Sequence, residues 1–494
     1  MYRTETIEEH RGIGLAGRWQ VIAPRGNDDH TWDAETTEYN TPTALAPSAS
    51  MAAPVHAVSE AGVVIDDRCV CGALHSVPFD AVVIGVDALE RLSAYARERR
   101  WSKPLVIMDA NTEEAAGLRV VDELSSAKVR VATCRFPEHS GLFANESAVS
   151  RLQARVSEAE PDAMFAVGSG VITDLTRYVA SRTGLEFVSI PTAASMDGYA
   201  SSVAAMEFGG MKTTYPAVPP VAIFADPDTV AAAPPEMTRA GLGDLLGKAS
   251  ARVDWLISHG LNGEQFCPEV ERRVTESFVE AATHVDDSLG QSPQAVSQLL
   301  HGLIESGIAM AMMGSSRPAS GCEHHASHFW DLLASNGWRP HASHGLQVGY
   351  ATHFAMRLQR FAFGGGVPTL KPPRPVTSDG DEESSWLEGH AIAVGAVMEE
   401  KRHYQRDRIS EWPGTARQWE VLQDRAGEAM RVFPMVSKAL LTAGIPTEPG
   451  FLDIDAATLR TTFRLANRLR SRYTTLDFLE GQDELAAAIE AVLP

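Results

Sequence analysis

The sequence has few basic residues and no long apolar run. Its 494 residues include 43 Lys and Arg against 64 Asp and Glu, which gives a formal net charge of −21. Such an excess of negative charge repels nucleic-acid phosphates and anionic membrane surfaces, so no nucleic-acid partner is expected. No run of about 18 apolar residues occurs and the N-terminal residues are too polar for a secretory signal. Together these absences predict a cytoplasmic protein without a membrane span.

Cysteine is also scarce. The five cysteines are Cys69, Cys71, Cys134, Cys267 and Cys322. An odd and scattered set of this size is not typical of a disulfide framework and favours a reducing compartment. Cys69, Cys71 and His75 are close enough in sequence for a short metal-binding segment. We interpret these thiols as inert, because alternate residues of a strand commonly share a face without binding anything.

The remaining composition is that of a globular protein, with 44% hydrophobic and 22% charged residues. Two segments fall outside any regular period. Residues 1–55 form an N-terminal extension whose order the pattern leaves open, and residues 363–385 combine Gly, Pro and acidic residues as in a surface loop or inserted linker. We expect the core to be built from the segments between them and beyond them.

Short β-branched and apolar runs alternate with amphipathic stretches in the first half of the chain. The runs are 81–86, 104–112, 129–134, 162–170, 186–192 and 221–226. This alternation predicts an α/β domain over 56–233, with a Rossmann-like parallel sheet covered by helices. From 234 to 494 the strand runs give way to long helical patterns at 236–258, 296–314 and 459–479, which predict an all-α domain. We expect the active site in the cleft between the two domains.

Two turns of small residues follow predicted strands. In VGSGVITD (167–174), glycines at a strand-to-helix turn would let backbone N–H groups approach a phosphate, although a plain tight turn is an alternative. In PTAASMDGYAS (191–201), Thr192 and Ser195 could line a nucleotide while Asp197 points into the cleft. A helix cap formed by Ser195 or Asp197 is the alternative there.

Five histidines occur within 21 residues, between positions 324 and 344. Ser320 and Glu323 have the spacing of a capping box, which predicts a helix beginning near Gly321. His324 and His328 then share one face of that helix, His325 points about 100° away from His324, and His341 and His344 follow. Clustered imidazoles are typical of a site for a divalent ion.

An acidic partner for these histidines is Asp244, which stands inside an otherwise apolar helical stretch. One carboxylate oxygen and two imidazoles would leave open positions on a divalent ion, as catalytic sites require. An ion pair between Asp244 and Lys248, four residues apart on a helix, explains the same residue without a metal. Spacing does not decide between these interpretations.

Several motifs in their order resemble the sn-glycerol-1-phosphate dehydrogenases, in the superfamily of iron-containing alcohol dehydrogenases and dehydroquinate synthases. They are VGSGVITDLTRY, PTAASMDGYASS, AGLGDLLGK, SRPASGCEHHASH, HGLQVG, and, similar to the bacterial branch, GIPTEP and RSRYTTLDFL. The similarity covers about residues 58–480. Arg177 stands where relatives often have Lys, which is a departure from the pattern.

The resemblance implies roles for individual residues. Dinucleotide contacts would come from Gly170, Val171, Ile172, Thr173, Asp174, Thr192, Ala193, Ala194, Ser195 and Ser201. Asp197, Asp244 and His328 would contact the substrate, with Asp244 and His328 also catalytic. Asp244, His324 and His344 would bind one divalent metal ion, with Zn²⁺ preferred and Ni²⁺ and Fe²⁺ as alternatives.

The implied reaction is the reversible reduction of dihydroxyacetone phosphate to sn-glycerol 1-phosphate by NADH or NADPH, in a homo-oligomer. His328 or a water could relay the proton, and Asp109 at a strand end could bind the adenosine ribose of NAD. Alternatives are another polyol dehydrogenase, a phosphate-eliminating cyclase of the superfamily, and a non-catalytic nucleotide-binding protein.

Overall fold

A computed structural model describes residues 64–65, 69–77, 79–126, 128–137, 141–364, 399 and 416–494. The extension at 1–55 lies outside the described residues, as does the loop predicted at 363–385 except for its first two residues. None of the described helices is long and apolar enough to cross a lipid bilayer.

The strands are β1 (Val64–Ile65), β2 (His75–Ser76), β3 (Ala81–Ile84), β4 (Pro104–Asp109), β5 (Ala132–Phe136), β6 (Ala163–Gly168), β7 (Glu186–Pro191), β8 (Val203–Phe208), β9 (Met211–Pro216) and β10 (Ala222–Ala225). The helices of the first half are α1 (Leu92–Glu98), α2 (Ala110–Thr112), α3 (Leu118–Ser126), α4 (Glu146–Ala159), α5 (Gly170–Thr183) and α6 (Pro227–Ala231). A π-helical turn, Glu113–Gly117, joins α2 to α3.

The helices of the second half are α7 (Pro235–Asn262), α8 (Pro268–Thr283), α9 (Val285–Leu289), α10 (Pro293–Met313), α11 (Cys322–Ser335), α12 (His344–Phe363), α13 (Ala416–Ala429), α14 (Phe433–Thr442), α15 (Ala456–Leu465), α16 (Thr475–Gly481) and α17 (Leu485–Val492). The change from strands to helices falls between α6 and α7.

The six predicted strand runs all form strands of one six-stranded sheet, in the order β3-β10-β7-β6-β4-β5 with every pair parallel. Alternate residues of β4 serve opposite faces: Val106 packs with α1 and α3, whereas Leu105 and Ile107 pack with α4 and α5. Burial on both faces explains why these strands are continuously apolar. The predicted fold class, a parallel-sheet α/β half followed by a helical half, is confirmed.

One local prediction was wrong and one feature was missed. The pattern at 459–479 is not one helix, because α15 ends at Leu465 and α16 begins only at Thr475, where Thr474 and Asp477 form a reciprocal capping box. The antiparallel hairpin of β8 and β9 was not predicted at all. Both features border the site described below.

Glycines let α7 and α12 approach closely at the centre of the helical half. A Cβ atom at Gly345 would lie 1.9 Å from the carbonyl oxygen of Ala240, and one at Gly243 would lie 2.2 Å from that of Gly345. Neither position tolerates a side chain unless the helices separate. This close crossing brings the N-terminus of α12 against the middle of α7.

Candidate metal centre and active-site cleft

A cleft of ≈ 1130 Å³ lies between the carboxyl ends of the sheet strands and the helical half. Its walls include Ser169 and Gly170 after β6, Ser195 after β7, and His324 and His344 from α11 and α12. Residues that the sequence placed in separate motifs, more than 150 positions apart, therefore share one cavity. Ligands of open α/β sheets bind at this edge, beyond the carboxyl ends of the strands.

Asp244, His324 and His344 form a compact donor group. One ligand atom from each lies within 4.8 Å of the others, and the distance from Nε2 of His324 to Oδ1 of Asp244 is 3.6 Å. Asp244 is fully buried and His324 is 6% exposed. The three come from different helices, α7, α11 and α12, and the glycine crossing holds two of these helices together.

Neighbouring groups fix how both imidazoles face the centre. Nδ1 of His324 lies 2.8 Å from Oε1 of Glu323, and Nδ1 of His344 lies 3.1 Å from Oγ of Ser327. Each contact engages Nδ1 and leaves Nε2 toward the group, as is usual for metal-binding histidines. One carboxylate and two oriented imidazoles suit a divalent transition-metal ion, so the residues present fit the metal that the sequence resemblance implies.

The ion pair that the sequence offered as an alternative is present as well. Nζ of Lys248 lies 2.6 Å from Oδ1 of Asp244 and 2.8 Å from Oδ2 of Asp197. Burial raises the pKa of Asp244, but Lys248 and then the histidines outweigh it and hold the pKa below its ordinary value. Asp244 is thus an anion whether or not a metal is bound.

The protonation of the two histidines differs. Burial, followed by Lys212, lowers the pKa of His344 to about 3, so this ring is neutral and able to bind a cation. Burial and Lys248 lower the pKa of His324, but hydrogen bonds to Asp244 and Glu323 outweigh them and raise it. A metal ion must therefore compete with a proton at His324, which makes metal binding weaker at low pH.

His325 is buried on a different side of α11 and is not part of the donor group, as its azimuth predicted.

The predicted capping box at the start of α11 was wrong in detail. The helix begins at Cys322, one position from the expected start, and Gly321 rather than Ser320 is the N-cap. Oδ2 of Asp254 accepts the N–H of Cys322 at 2.6 Å. A Cβ at Gly321 would lie 2.6 Å from that oxygen, so only glycine fits there.

The glycine turn after β6 leads into α5, whose N-cap is Ser169. Among the described residues, the Ser169 side chain makes no capping bond to α5 and instead contacts Oγ of Ser195 in the second turn. The first-turn N–H groups of α5 therefore face the cleft without a side-chain cap, the arrangement that receives a phosphate.

Most residues assigned to the dinucleotide by resemblance line the cleft. They are Gly170, Val171, Ile172, Asp174, Thr192, Ser195 and Ser201. Thr173, Ala193 and Ala194 are at most 1% exposed and lie behind this wall. The two turns thus form one surface, which the sequence suggested but could not demonstrate.

Arg177, the departure from the family pattern, is fully buried and joins the two turns. Its guanidinium pairs with Asp174 at 2.6 Å and donates to the carbonyls of Gly198 and Tyr199. Burial raises the pKa of Asp174 to about 6.

Asp109 also borders the cleft, where its Oδ1 caps α2 by accepting the N–H groups of Asn111 and Thr112.

Asp197 lines the cleft between the two halves. The helix cap that the sequence offered as an alternative role for Asp197 is not formed, since its side chain makes no capping bond. The carboxylate instead pairs with Lys248 and accepts a hydrogen bond of 2.9 Å from Oγ of Ser306. Burial raises its pKa, and the charge of Asp244 raises it further.

His328 lies at the other end of the histidine group, with its ring centroid 5.8 Å from that of His344. Nη2 of Arg470 lies 2.7 Å from Nε2 of His328 and 3.0 Å from Oγ1 of Thr214. Nζ of Lys212, on the same strand as Thr214, lies 3.1 Å from Oδ2 of Asp331. Burial, then Arg470, holds the pKa of His328 well below its usual range, so the ring is neutral.

Sequence reasoning missed the contact of Arg470 with His328. Arg470 falls in the segment between α15 and α16 that was predicted to be helical, and only the break in that segment brings it to His328. The sequence signal was RSRYTTLDFL, which carried the resemblance but gave no role to its arginines.

Comparisons with known proteins identify the family of the chain. The family model for iron-containing alcohol dehydrogenases matches residues 83–234. The NAD(P)⁺ glycerol-1-phosphate dehydrogenase of Halalkalibacterium halodurans is 38% identical over 301 residues, which cover 60% of this chain and 75% of the relative. That of Geobacillus stearothermophilus is 30% identical over 418 residues, covering 83% of this chain and 95% of the relative.

Solved structures show the same fold at low identity. An iron-containing alcohol dehydrogenase from Thermococcus thioreducens superposes with a TM-score of 0.57 at 14% identity, covering 85% of this chain and 99% of the other. The fold therefore extends across both halves of the chain, and the sequence relatives match most of their own length. The chain belongs to the glycerol-1-phosphate dehydrogenase family.

Proposed function

We propose that this protein catalyses the reversible reduction of dihydroxyacetone phosphate to sn-glycerol 1-phosphate with NADH or NADPH. As a member of its family it is an NAD(P)-dependent oxidoreductase. The observation that carries the proposal is one cleft lined by the uncapped helix turn at Gly170, by His324 and His344, and by Lys212, with the buried Asp244 directly behind the two histidines. A nucleotide phosphate, a divalent ion and a substrate phosphate would each find a complementary group there.

Asp244, His324 and His344 would hold the divalent ion. When bound, this ion supplies a Lewis acid that stabilises the negative charge developing on the substrate oxygen. Glu323 and Ser327 keep the imidazoles in position through their Nδ1 contacts. Metal identity depends on availability as well as on ligands, since Zn²⁺, Ni²⁺ and Fe²⁺ all accept this donor set.

The N-terminus of α5 would receive the pyrophosphate of the dinucleotide, which supplies the hydride. Ser195 and Ser201, on the opposite turn, would bind the rest of the cofactor. Arg177 keeps that turn against α5 through its bonds to Gly198 and Tyr199. The same cleft also contains His324 and His344, so the cofactor and the candidate metal would bind side by side.

The substrate would bind between the donor group and the hairpin of β8 and β9. Lys212 and Arg470 are the basic side chains at this end, and we assign the substrate phosphate to them. His328 and Asp197 would orient the hydroxyl groups. Because Arg470 donates to Nε2 of His328, that ring carries its hydrogen on Nδ1, and we assign it a positioning role in preference to the proton relay.

The experiment is NADH and NADPH oxidation with dihydroxyacetone phosphate, on purified protein supplied with Zn²⁺, Ni²⁺ or Fe²⁺ in turn. We expect metal-dependent oxidation that yields the sn-1 enantiomer, and its loss in Asp244→Asn, which keeps the shape but removes the charged ligand. Binding of metal and nucleotide without oxidation would contradict the assigned substrate. Phosphate release from a sugar acid phosphate would instead indicate the cyclase chemistry. The homo-oligomer and the cytoplasmic location expected from the sequence stay predictions.

A further inference from the structure

A second cluster of metal-ligating side chains lies outside the cleft. It consists of Cys69, Cys71, His75 and Cys267, whose ligand atoms all lie within 4.8 Å of one another. Sγ of Cys69 is 3.4 Å from Sγ of Cys267 and 3.3 Å from Sγ of Cys71, and Sγ of Cys71 is 3.1 Å from Nε2 of His75. None of the four lines the active-site cleft.

The spacing is close to that of a tetrahedral zinc site. With Zn–S bonds of about 2.3 Å, neighbouring ligand atoms of a regular tetrahedron stand about 3.8 Å apart. The observed separations differ from this by less than about 1 Å, which small side-chain rotations can supply. A disulfide between Cys69 and Cys267 would need their sulfurs at about 2.05 Å and would leave Cys71 and His75 without a function.

Hydrogen bonds and a tight turn around the cluster orient Cys69, Cys71 and His75 toward a common centre. Nδ1 of His75 lies 3.0 Å from the carbonyl oxygen of Met312, so this nitrogen carries the hydrogen and Nε2 presents its lone pair to the sulfurs. The N–H of Ala73 points at Sγ of Cys71, at 3.4 Å. Gly72, with a φ of +75°, makes the tight turn that places Cys69 and Cys71 side by side.

Cys267 is the N-cap of α8, a helix of 16 residues, and it is fully buried. His75 is only 2% exposed. Cys267 and His75 are therefore shielded from solvent, as the ligands of a closed structural site are.

We propose that Cys69, Cys71, His75 and Cys267 bind one Zn²⁺ ion as a structural site separate from the catalytic centre. Three thiolates and one imidazole fill the four positions, leaving none for substrate, which is the pattern of structural zinc. On binding, the three thiols release three protons, and the site carries a net charge of −1. The ion ties residues 69–75 to α8 and, through Met312, to α10. This assignment replaces the interpretation of these thiols as inert.

The test is the zinc content of the full-length protein and of three variants. We expect Asp244→Asn, which disables the catalytic centre, to retain one Zn²⁺ per chain after dialysis against a chelator. Cys267→Ser should lose that ion and unfold at a lower temperature. Cys134→Ser, a buried cysteine in β5 outside the cluster, is the matched control and should retain it.

Cobalt substitution keeps the proposal testable if Cys267→Ser does not fold. Co²⁺ bound to thiolates gives intense charge-transfer absorption in the near ultraviolet, which a carboxylate and imidazole site does not give. We expect this band in Asp244→Asn, with no cysteine variant needed. A folded Asp244→Asn protein that binds no metal, or a Cys69–Cys267 disulfide found by mass spectrometry, would overturn the proposal. Neither readout depends on dehydrogenase activity, so the zinc proposal fails or succeeds independently of the proposed function.

Discussion

Lys248 shows how one residue can support both explanations of a sequence pattern. It forms the predicted ion pair with Asp244, and it also reaches Asp197, so it links two carboxylates in the active-site cleft. Burial lowers the pKa of Lys248, but the two carboxylates outweigh it and hold the pKa above its ordinary value. A cation at this point lets Asp197 and Asp244 stand close together. The ion pair and the candidate metal centre therefore share Asp244, and the presence of the pair does not exclude metal binding.

We expect the charge of Lys212 to matter for activity with a phosphorylated substrate and not with an unphosphorylated one. Lys212→Gln removes the charge while the amide can still reach Asp331. We expect kcat/KM for dihydroxyacetone phosphate to fall about 10- to 100-fold, since a charge-assisted hydrogen bond contributes about 1.5–3 kcal/mol. Activity with unphosphorylated dihydroxyacetone should change little.

The matched control is Lys438→Gln, because Lys438 is an exposed lysine of α14 away from the cleft. Its kinetics should equal those of the unmodified protein with both substrates. An equal loss with both substrates in Lys212→Gln would show that Lys212 supports the fold and does not bind the phosphate.

His328 is expected to position the substrate. His328→Gln should raise KM for dihydroxyacetone phosphate about 10-fold and leave the pH profile of kcat unchanged, because the neutral ring of His328 does not titrate in the working range. Steady-state kinetics between pH 5.5 and 9 test this. A missing limb in the variant's kcat profile would instead support the proton relay.

At the scale of secondary-structure elements, the crossing of α7 and α12 sets the distance between two residues of the candidate metal centre. Asp244 lies one residue from Gly243, and His344 lies one residue from Gly345, so the contact of the two backbones sets the distance between the two ligands. The break between α15 and α16 has a similar effect, since it turns Arg470 toward His328. Irregular positions in otherwise regular helices thus build the site.

Gly345→Ala tests the helix crossing. Because the added Cβ would lie 1.9 Å from the carbonyl oxygen of Ala240, the helices must separate. We expect metal affinity to fall at least 10-fold and the free energy of unfolding to fall by about 1–3 kcal/mol. Metal titration followed by calorimetry and denaturant unfolding measure the two effects.

Gly427→Ala is the control for that substitution. Gly427 lies within α13, and a Cβ there meets no described atom within 4 Å. Alanine should leave metal binding unchanged and stabilise the helix by up to about 1 kcal/mol. Unchanged metal affinity in Gly345→Ala would mean that the ligands do not depend on the helix crossing.

At the scale of the whole molecule, buried histidines make stability depend on pH. His353 is 2% exposed, with Nε2 3.1 Å from the carbonyl oxygen of Ile445, and burial lowers its pKa to about 4. The unfolded chain binds the proton at a pH of about 6.5, so the stabilisation is complete above that pH and is lost as the pH falls toward 4. His353→Gln keeps a donor for Ile445 and removes the titration.

We expect the unmodified protein to lose about 2 kcal/mol more than His353→Gln between pH 7.5 and pH 5, from the two pKa values. Denaturant unfolding at both pH values measures the difference, and the other histidines cancel because both proteins contain them. Equal losses in the two proteins would show that His353 is already neutral in the unfolded chain or protonated in the folded one.

The sequence by itself determined the strands of the parallel sheet and the helical second half, and it named the three residues that the structure brings together as the candidate metal centre. Continuous apolar runs, helical spacing and a family resemblance are local properties, and Asp244, His324 and His344 could be named from them. Local patterns did not predict three features: the capping of α11 by Asp254, the ends of α15 and α16, and the position of Arg470. Each depends on a partner far away in the chain.

Only the tertiary structure decided which distant residues meet. Cys267 stands 198 positions from Cys69, and no spacing rule joins them. Arg470 likewise meets His328 across 142 positions. Such contacts arise from how helices pack, and packing is fixed by the shape of whole surfaces, such as the glycine crossing of α7 and α12. The sequence thus supplies the chemical groups, and the fold sets the distances between them.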